Sequence, residues 1–304
     1  MTAPNPQYRG RFAPSPTGPL HLGSLIAALA SYLDARSAGG QWLLRMEDLD
    51  PPREEPGAAE SILASLRDHG LHWDGDVLWQ SRRHDAYAAA LDQLNASGAL
   101  FRCDCTRAML GPGGACAGRC ANRQAEITGE HALRLRVEPR TEISFSDRLQ
   151  GEQREDLHAT LPDFVLRRKD GLYAYQLAVV VDDAFQGVNQ VVRGSDLLDS
   201  TARQIYLQQC LGVPRADYLH LPVITNSAGQ KFSKQNHAPA LDAGHAADNL
   251  RAALAFLGQV PAPAGTITEI LEHAVAHWSV QRLPRGMALP ADALPALYRP
   301  GGLA

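Results

Sequence analysis

The front of the chain carries a strand, a loop of helix breakers, a helix and a second strand in immediate succession. Residues 8–13 predict the first strand, and the prolines and glycine of residues 14–19 predict a loop. Apolar residues recur at helical spacing over residues 21–36, Gly39 and Gly40 follow, and residues 41–46 predict the second strand. This order is typical of the opening βαβ unit of a nucleotide-binding parallel sheet, so we expect an α/β fold.

The rest of the chain divides into segments with different residue patterns. Helical patterns cover residues 60–69, 85–97 and 200–211, and strand patterns cover residues 133–137, 143–147, 164–168, 173–181 and 219–225. Residues after 235 are rich in alanine and predict helices. We therefore expect a core of residues 1–100 and 166–235, interrupted by a cysteine-bearing insertion of residues 101–165 and followed by a helical subdomain of residues 236–304.

The composition is that of an ordinary globular protein, with 304 residues, 45% of them hydrophobic and 20% charged. The chain does not start with a basic and apolar leader, and it contains no run of about eighteen apolar residues. We therefore expect a cytoplasmic protein that does not enter a membrane. The net charge of −4 gives no global attraction to nucleic acid, but a local basic face would suffice for RNA.

Nearly all basic residues are arginines, since only three of the 29 are lysines. Two of these, Lys231 and Lys234, lie in the short string KFSK. Lysine is a compact point charge on a flexible stem, whereas arginine is a planar fork, so the pair predicts a place where a mobile ammonium is needed. Coincidence in a small count is the alternative.

The string RFAPSPTGPLHLGS, residues 11–24, precedes and enters the first predicted helix. A glycine turn at a helix N-terminus lets the backbone and the helix dipole approach phosphate oxygens, and His21 could donate to a phosphate as charge develops there. By residue types alone, a proline-rich turn with a capping histidine is the simpler interpretation. Asp182 and Asp183, after the apolar run of residues 179–181, could likewise hold Mg²⁺, but the simpler hypothesis is that they end a strand.

Four of the five cysteines lie close together, at Cys103, Cys105, Cys116 and Cys120. In a chain without an export signal, such local clustering predicts a metal site before it predicts disulfides. Four thiolates suit one tetrahedral zinc ion, and the site would be structural because no ligand position stays open. Free thiols in a loop are the alternative. Cys210, on an apolar helix, is expected to be a buried small hydrophobe.

Taken together, four separated strings resemble the class I aminoacyl-tRNA synthetases, in the form used by the glutamyl and glutaminyl branch. PSPTGPLHLG resembles the HIGH-type signature, RMEDLDPPR (45–53) and VRGSDL (192–197) match family strings, and KFSKQ (231–235) resembles the KMSKS loop. The resemblance runs from about residue 8 to residue 235 and implies a Rossmann-like catalytic core with a zinc-bearing insertion. The departures are Ser24 for the last histidine, Phe232 for methionine and Gln235 for serine, and they affect fine phosphate contacts and loop mobility.

The resemblance also implies roles for individual residues. The catalytic residues would be His21 and Lys234, and ATP, accompanied by Mg²⁺, would contact His21, Gly23, Lys231, Ser233 and Lys234. L-Glutamate has two carboxylates and one ammonium, so its pocket needs two cations and one anion. By resemblance, the pocket is formed by Arg11, Phe12, Ala13, Pro14, Ser15, Glu47, Tyr175 and Arg193. The alternative for each charge alone is a structural salt bridge at a strand end.

The length after the KFSKQ string separates the branches of the family, since only residues 236–304 follow it. That is room for a small stem-contact bundle and not for an added anticodon-binding domain. The short form resembles the glutamyl-queuosine tRNA(Asp) synthetases, which implies activation of glutamate without tRNA and its transfer to the queuosine of tRNA(Asp). The alternatives are a truncated glutamyl-tRNA synthetase that charges tRNA(Glu) and a non-catalytic synthetase paralogue.

Overall fold

The computed structural model describes residues 7–225 and 240–290. The α-helices in these ranges are α1 (Leu22–Ser37), α2 (Ala58–Asp68), α3 (His84–Ala96), α4 (Leu157–Thr160), α5 (Tyr175–Gln186), α6 (Leu198–Leu211), α7 (Ala246–Phe256) and α8 (Ile267–Ala276). The strands are β1 (Arg9–Phe12), β2 (Gln41–Met46), β3 (Leu78–Trp79), β4 (Leu100–Cys103), β5 (Ala132–Arg136), β6 (Glu142–Asp147), β7 (Gly151–Asp156), β8 (Asp163–Arg167), β9 (Gln190–Gly194), β10 (Asp217–Leu221), β11 (Val223–Thr225) and β12 (Ala288–Pro290). Within this part of the chain, none of the helices combines the length and the apolar character of a membrane span.

The centre of the molecule is a set of parallel strands. β1 pairs with β2, β2 with β3, and β9 with β10, all in parallel. β1 also lies beside β9, where the Asn189 N–H donates to the Arg9 carbonyl at 3.1 Å. Side by side the strands run β3-β2-β1-β9-β10, so the order reverses between β1 and β9. This confirms the predicted α/β fold with a Rossmann-like parallel sheet, and ligands of such sheets bind at the carboxyl ends of the strands where the order reverses.

Helix α1 lies in the main hydrophobic core. Leu25, Leu29 and Leu33 are fully buried, as is Trp42 on β2. α1 contacts β1, β2 and β9 and also packs against α7 and α8, so both sides of the helix are covered. A helix covered on both sides needs apolar residues around most of its circumference, which explains its run of leucine and alanine.

The regular secondary structure of the segment predicted as an insertion, residues 101–165, is mainly antiparallel strands. β4, β5 and β8 form one sheet, and β6 and β7 form a hairpin whose first strand joins the parallel sheet through β10. The predicted strands at 133–137, 143–147 and 164–168 are confirmed as β5, β6 and β8 to within a residue or two.

The predicted strand at residues 173–181 is wrong, because this segment begins helix α5. An apolar run such as Val179–Val181 is ambiguous between a buried strand and a buried helix. The helix ends at Gly187, which has a left-handed φ of 66°. The predicted strand at 219–225 is in fact two strands, β10 and β11, separated at Pro222, which cannot donate to a ladder.

Candidate active site

A cavity of about 460 Å³ opens at the carboxyl ends of β1 and β9, at the reversal of strand order. Separate segments of the chain form its walls: the residues after β1, the start of α1, the end of β2, the start of α5 and the end of β9. The predicted site residues that line it are Arg11, Phe12, Ala13, Ser15, His21, Gly23, Glu47, Tyr175 and Arg193. Pro14, also predicted, is not among the lining residues. Its carbonyl accepts the Glu47 N–H at 2.9 Å and so joins the segment after β1 to the end of β2.

His21 caps the N-terminus of α1 at the cavity wall. Its Nδ1 accepts the Ser24 N–H at 3.3 Å, and the Ser24 hydroxyl accepts the His21 N–H at 3.0 Å. Because Nδ1 is an acceptor, the proton of the neutral ring lies on Nε2. The capping role is therefore confirmed, and the ring also lines the cavity, while its contact with a phosphate stays a prediction. Ser24, the departure from the family signature, completes the capping box.

The predicted residues Lys231, Ser233 and Lys234 lie outside the described residues. The described residues on either side of this segment lie at the cavity or beside one of its wall residues. Ile224 on β11 lines the cavity, and Ala240 forms an isolated bridge with His21. Next to it, the Leu241 N–H donates to the Leu20 carbonyl at 2.9 Å.

Arg11 is anchored by a carboxylate that the sequence interpretation did not assign to the site. Its Nε donates to Asp183 on α5 at 3.3 Å, and Arg45 Nη1 donates to the same oxygen at 2.7 Å. All three side chains are buried. Burial alone would raise the pKa of Asp183, but Arg45 and Arg11 outweigh it and hold the pKa below the ordinary range.

Glu47 is the carboxylate that faces the cavity next to these arginines. Its Oε1 accepts from Arg45 Nη2 at 3.3 Å. Burial raises the pKa of Glu47, against the opposite effect of Arg45 and Arg11. A cation placed in the cavity beside Glu47 would favour its ionised form again.

Arg193 is held by neutral groups on three elements. Its Nε donates to His220 Nε2 at 2.9 Å, its Nη1 donates to Gln204 Oε1 at 2.8 Å, and its Nη2 donates to the Thr201 hydroxyl at 2.9 Å. The Tyr175 hydroxyl lies 3.5 Å from Nη1. These contacts fix the guanidinium plane at the cavity wall.

His220 is itself held by Asp147 at the end of β6. Its Nδ1 lies 2.6 Å from Asp147 Oδ2, and Asp147 also accepts the backbone N–H groups of Leu149 and Gln150. Burial lowers the pKa of His220, although the hydrogen bond to Asp147 acts in the other direction. The neutral ring therefore donates from Nδ1 to Asp147 and accepts from Arg193 at Nε2.

The sequence interpretation missed these supporting residues. Asp183, Arg45, His220 and Asp147 lie far apart along the chain, and none has a local pattern that marks its partner. The hypothesis that Asp182 and Asp183 end a strand is wrong. Both lie on helix α5, where Asp182 is bound by Gln80, Arg83 and Tyr87.

The four predicted metal ligands form one buried cluster. The sulfurs of Cys103, Cys105, Cys116 and Cys120 all lie within 4.8 Å of one another. Cys105 Sγ is 3.8 Å from Cys116 Sγ and 3.5 Å from Cys120 Sγ. A tetrahedral zinc with Zn–S bonds of about 2.3 Å places its sulfurs about 3.8 Å apart, so the donor set fits one zinc ion.

A buried ion pair stabilises the backbone that carries part of this cluster. Asp163 accepts the backbone N–H of Cys116 at 2.9 Å and that of Ala117 at 2.8 Å. Arg134 donates to the same carboxylate and to the Gly114 carbonyl at 2.5 Å. The loop that carries Cys116 is thus held on the sheet of β5 and β8. Cys210, predicted to be buried, is only partly buried.

Comparison with known proteins agrees with this geometry. The family model of the catalytic domain of class I tRNA synthetases (E and Q) matches residues 7–112 and 117–277. The glutamyl-Q tRNA(Asp) synthetase of Chromobacterium violaceum is 54% identical over 290 residues, covering 93% of this chain and 97% of that protein. The same-named protein of Xanthomonas campestris pv. campestris is 55% identical over 287 residues, covering 93% and 96%. This chain belongs to the glutamyl-Q tRNA(Asp) synthetase family.

Solved structures share the fold of this glutamyl-Q tRNA(Asp) synthetase family member. A glutamate tRNA ligase from Elizabethkingia meningosepticum matches with a TM-score of 0.77 and 23% identity, covering 93% of this chain and 66% of that chain. The glutamate-tRNA synthetase of Elizabethkingia anophelis matches with a TM-score of 0.78 and 23% identity, covering 94% and 69%. The family member thus spans about two thirds of the length of these enzymes.

Proposed function

We propose that this chain uses ATP to activate L-glutamate as glutamyl adenylate, without needing tRNA, and transfers the glutamyl group to the queuosine of tRNA(Asp). One observation carries the proposal: two buried guanidinium groups, Arg11 and Arg193, and the carboxylate of Glu47 face one cavity beside the N-terminus of α1. Glutamate carries two carboxylates and one ammonium, so its charges complement these three groups. The names of the relatives point to the same reaction.

In this proposal each charged group of glutamate has a partner. Arg11 and Arg193 pair with the two carboxylates, because a guanidinium fork matches a carboxylate in bidentate fashion. Glu47 binds the ammonium, and the Tyr175 hydroxyl adds a hydrogen bond. The segment after β1, with Phe12, Ala13, Pro14 and Ser15, forms the wall against which the amino acid lies.

The nucleotide belongs at the start of α1. The N-terminal N–H groups around Gly23 and the helix dipole favour phosphate oxygens, and the Nε2–H of His21 stabilises charge that develops on the α-phosphate. A glutamate carboxylate oxygen attacks that phosphorus, and pyrophosphate leaves with the bonding electron pair. Lys231, Ser233 and Lys234 bind the leaving pyrophosphate, and Mg²⁺ enters as the complex with ATP. The contact between Ala240 and His21 supports this role, because it brings one end of the lysine-bearing segment to the site.

The remaining parts serve this reaction. The cysteine cluster of the insertion, residues 101–165, holds one structural zinc, and the helices of residues 236–304 form a stem-contact-like subdomain on the core of residues 1–100 and 166–235. Because ATP and tRNA are both cytoplasmic, the reaction takes place in the cytoplasm.

The test is glutamate-dependent ATP–pyrophosphate exchange without tRNA, followed by charging of queuosine-containing tRNA(Asp), unmodified tRNA(Asp) and tRNA(Glu). We expect exchange without RNA and charging of the first tRNA alone. Exchange that requires tRNA, together with charging of tRNA(Glu), would show a truncated glutamyl-tRNA synthetase. No exchange under any condition would show a non-catalytic paralogue.

A further inference from the structure

A second cavity of about 350 Å³ opens beside the proposed glutamate pocket. The two cavities share four wall residues, Ser15, Glu47, Arg53 and Tyr175. A group bound in the second cavity therefore lies across a shared wall from glutamate and its adenylate. Its volume is in the range of ordinary small-ligand sites.

The carboxylates around this second cavity are not equally neutralised. Glu47 is paired with Arg45. Asp50 accepts from Arg53 at 2.7 Å, and Arg168 lies 3.6 Å away. Glu54 differs from both, because its Oε1 is shielded from solvent and has no hydrogen-bond partner among residues 7–225 and 240–290.

An unpaired carboxylate oxygen away from water is costly unless a ligand completes it. The surroundings add to this cost, since burial and the nearby charges of Asp48 and Asp50 raise the pKa of Glu54, against a hydrogen bond from the Asp50 backbone that lowers it. A cationic group in the cavity would remove the unfavourable interaction. A hydrogen-bond donor with a positive charge would therefore complement Glu54.

The rim of the cavity carries basic side chains, of which Arg168 pairs with Asp170 at 2.6 Å and Lys169 donates to the Asp104 carbonyl at 2.7 Å. Arg167 ends β8, and Arg168 and Lys169 follow it directly; all three are exposed. Arg168 lines the cavity, and the Arg167 guanidinium lies 5.9 Å from the ring centre of Tyr173, which also lines it. A cationic rim around an anionic interior fits a ligand with phosphates outside and a cation at its tip.

We infer that this cavity receives the modified base of the tRNA acceptor, with Glu54 binding the secondary ammonium that joins the cyclopentenediol of queuosine to its 7-deazaguanine. The inference rests on the proposed function and assigns the acceptor site. Arg167, Arg168 and Lys169 contact the phosphates of the flanking nucleotides. A cyclopentenediol hydroxyl then faces the shared wall, where the glutamyl adenylate lies.

The transfer step follows from this placement. The cyclopentenediol hydroxyl oxygen attacks the carbonyl carbon of the adenylate and forms the ester C–O bond. The anhydride bond between that carbon and the phosphate oxygen breaks, AMP leaves with the electron pair, and the hydroxyl proton passes to the departing phosphate. Glu54 takes no part in the bond changes and acts as a binding and positioning residue.

The test compares Glu54→Gln with Glu55→Gln, a matched control one residue away on an exposed side chain. We expect Glu54→Gln to keep wild-type ATP–pyrophosphate exchange and wild-type KM values for glutamate and ATP. Because hydrogen bonds between charged groups are worth about 1.5–3 kcal/mol, kcat/KM for queuosine-containing tRNA(Asp) should fall about tenfold or more. Glu54→Asp should restore part of the loss, and Glu55→Gln should match the wild type in both assays.

The outcomes separate this inference from the proposed function. Wild-type transfer by Glu54→Gln overturns the inference alone. A parallel fall of exchange and transfer also overturns it, because Glu54 would then serve activation. If the wild-type protein exchanges pyrophosphate but transfers nothing to queuosine-containing tRNA(Asp), the proposed function fails, and the inference fails with it.

Discussion

Asp183→Asn tests whether one buried carboxylate organises the arginines of the proposed glutamate pocket. The wild-type Asp183 lies 2.7 Å from Arg45 and 3.3 Å from Arg11, and the side chains of these arginines are 0% and 4% exposed. Asparagine has nearly the same shape but carries no charge. After the change, Glu47 still pairs with Arg45, and Asp182 also acts on Arg45 through its charge.

The expected loss of unfolding free energy follows from the burial of the ion pairs and not from the distance between their charges. Removing one partner of a buried ion pair typically costs 3–5 kcal/mol, because a buried charge loses its compensation. Arg45 keeps its hydrogen bonds to Gln186 and Glu47. We therefore expect the free energy of unfolding to fall by about 3 kcal/mol, at the low end of that range. The control is Glu142→Gln, which removes a pair with Arg154 of the same 2.7 Å length on the exposed β6–β7 hairpin. Exposed pairs contribute little, so this control should unfold like the wild type.

Urea unfolding of the three proteins at neutral pH measures both effects. The pKa of Asp183 lies below its ordinary value of 3.8, so its contribution is complete above that value. It is lost as the pH falls through the folded-state pKa, and the gap between wild type and Asp183→Asn should close there. Equal losses for Asp183→Asn and Glu142→Gln, or an unchanged stability of Asp183→Asn, would refute the reasoning.

Three further changes test the site. Lys234→Ala should abolish pyrophosphate exchange while circular dichroism stays unchanged, because losing a charged donor costs about 2–4 kcal/mol in the transition state; wild-type exchange rates would contradict this. Arg193→Lys should raise the glutamate KM about tenfold with an unchanged KM for ATP, since lysine lacks the fork; an equal rise for both substrates would argue against it. Metal analysis should find about one zinc per chain and much less in Cys116→Ser, as a four-thiolate site requires; a folded, active, metal-free wild type would disprove the zinc site.

The fold was predictable where its signals are local. The spacing of Leu25, Leu29 and Leu33 marks α1 whatever covers it, and the breakers on each side set its ends. The cysteines were predictable for the same reason, since four ligands within a short segment can meet without knowledge of the fold. The segment at 173–181 was not, because a short run of apolar residues has no period that separates a buried strand from a buried helix.

The support of the site could not be predicted from local signals. Arg193, His220 and Asp147 form one hydrogen-bonded chain, but they lie on β9, β10 and β6, and only the strand order brings them together. The sequence shows Asp183 as a charged residue after valines, but it does not show its role. That role depends on helix α5, which directs the Asp183 side chain toward β1 and β2. Buried charges find partners through tertiary structure, so single-sequence patterns do not show them.

The two arginines of the pocket differ in how their charge is balanced before substrate arrives. Arg11 shares the Asp183 carboxylate, whereas the hydrogen-bond partners of Arg193 in the described part of the chain are all neutral. A buried cation held only by dipoles is oriented but not neutralised, and it gains most from a carboxylate that arrives from outside. We therefore predict that the end of the pocket at Arg193 supplies the larger share of the binding free energy for a carboxylate. An uncharged group placed there would leave Arg193 without a counter-ion, so we expect neutral amino acids to gain least from this site.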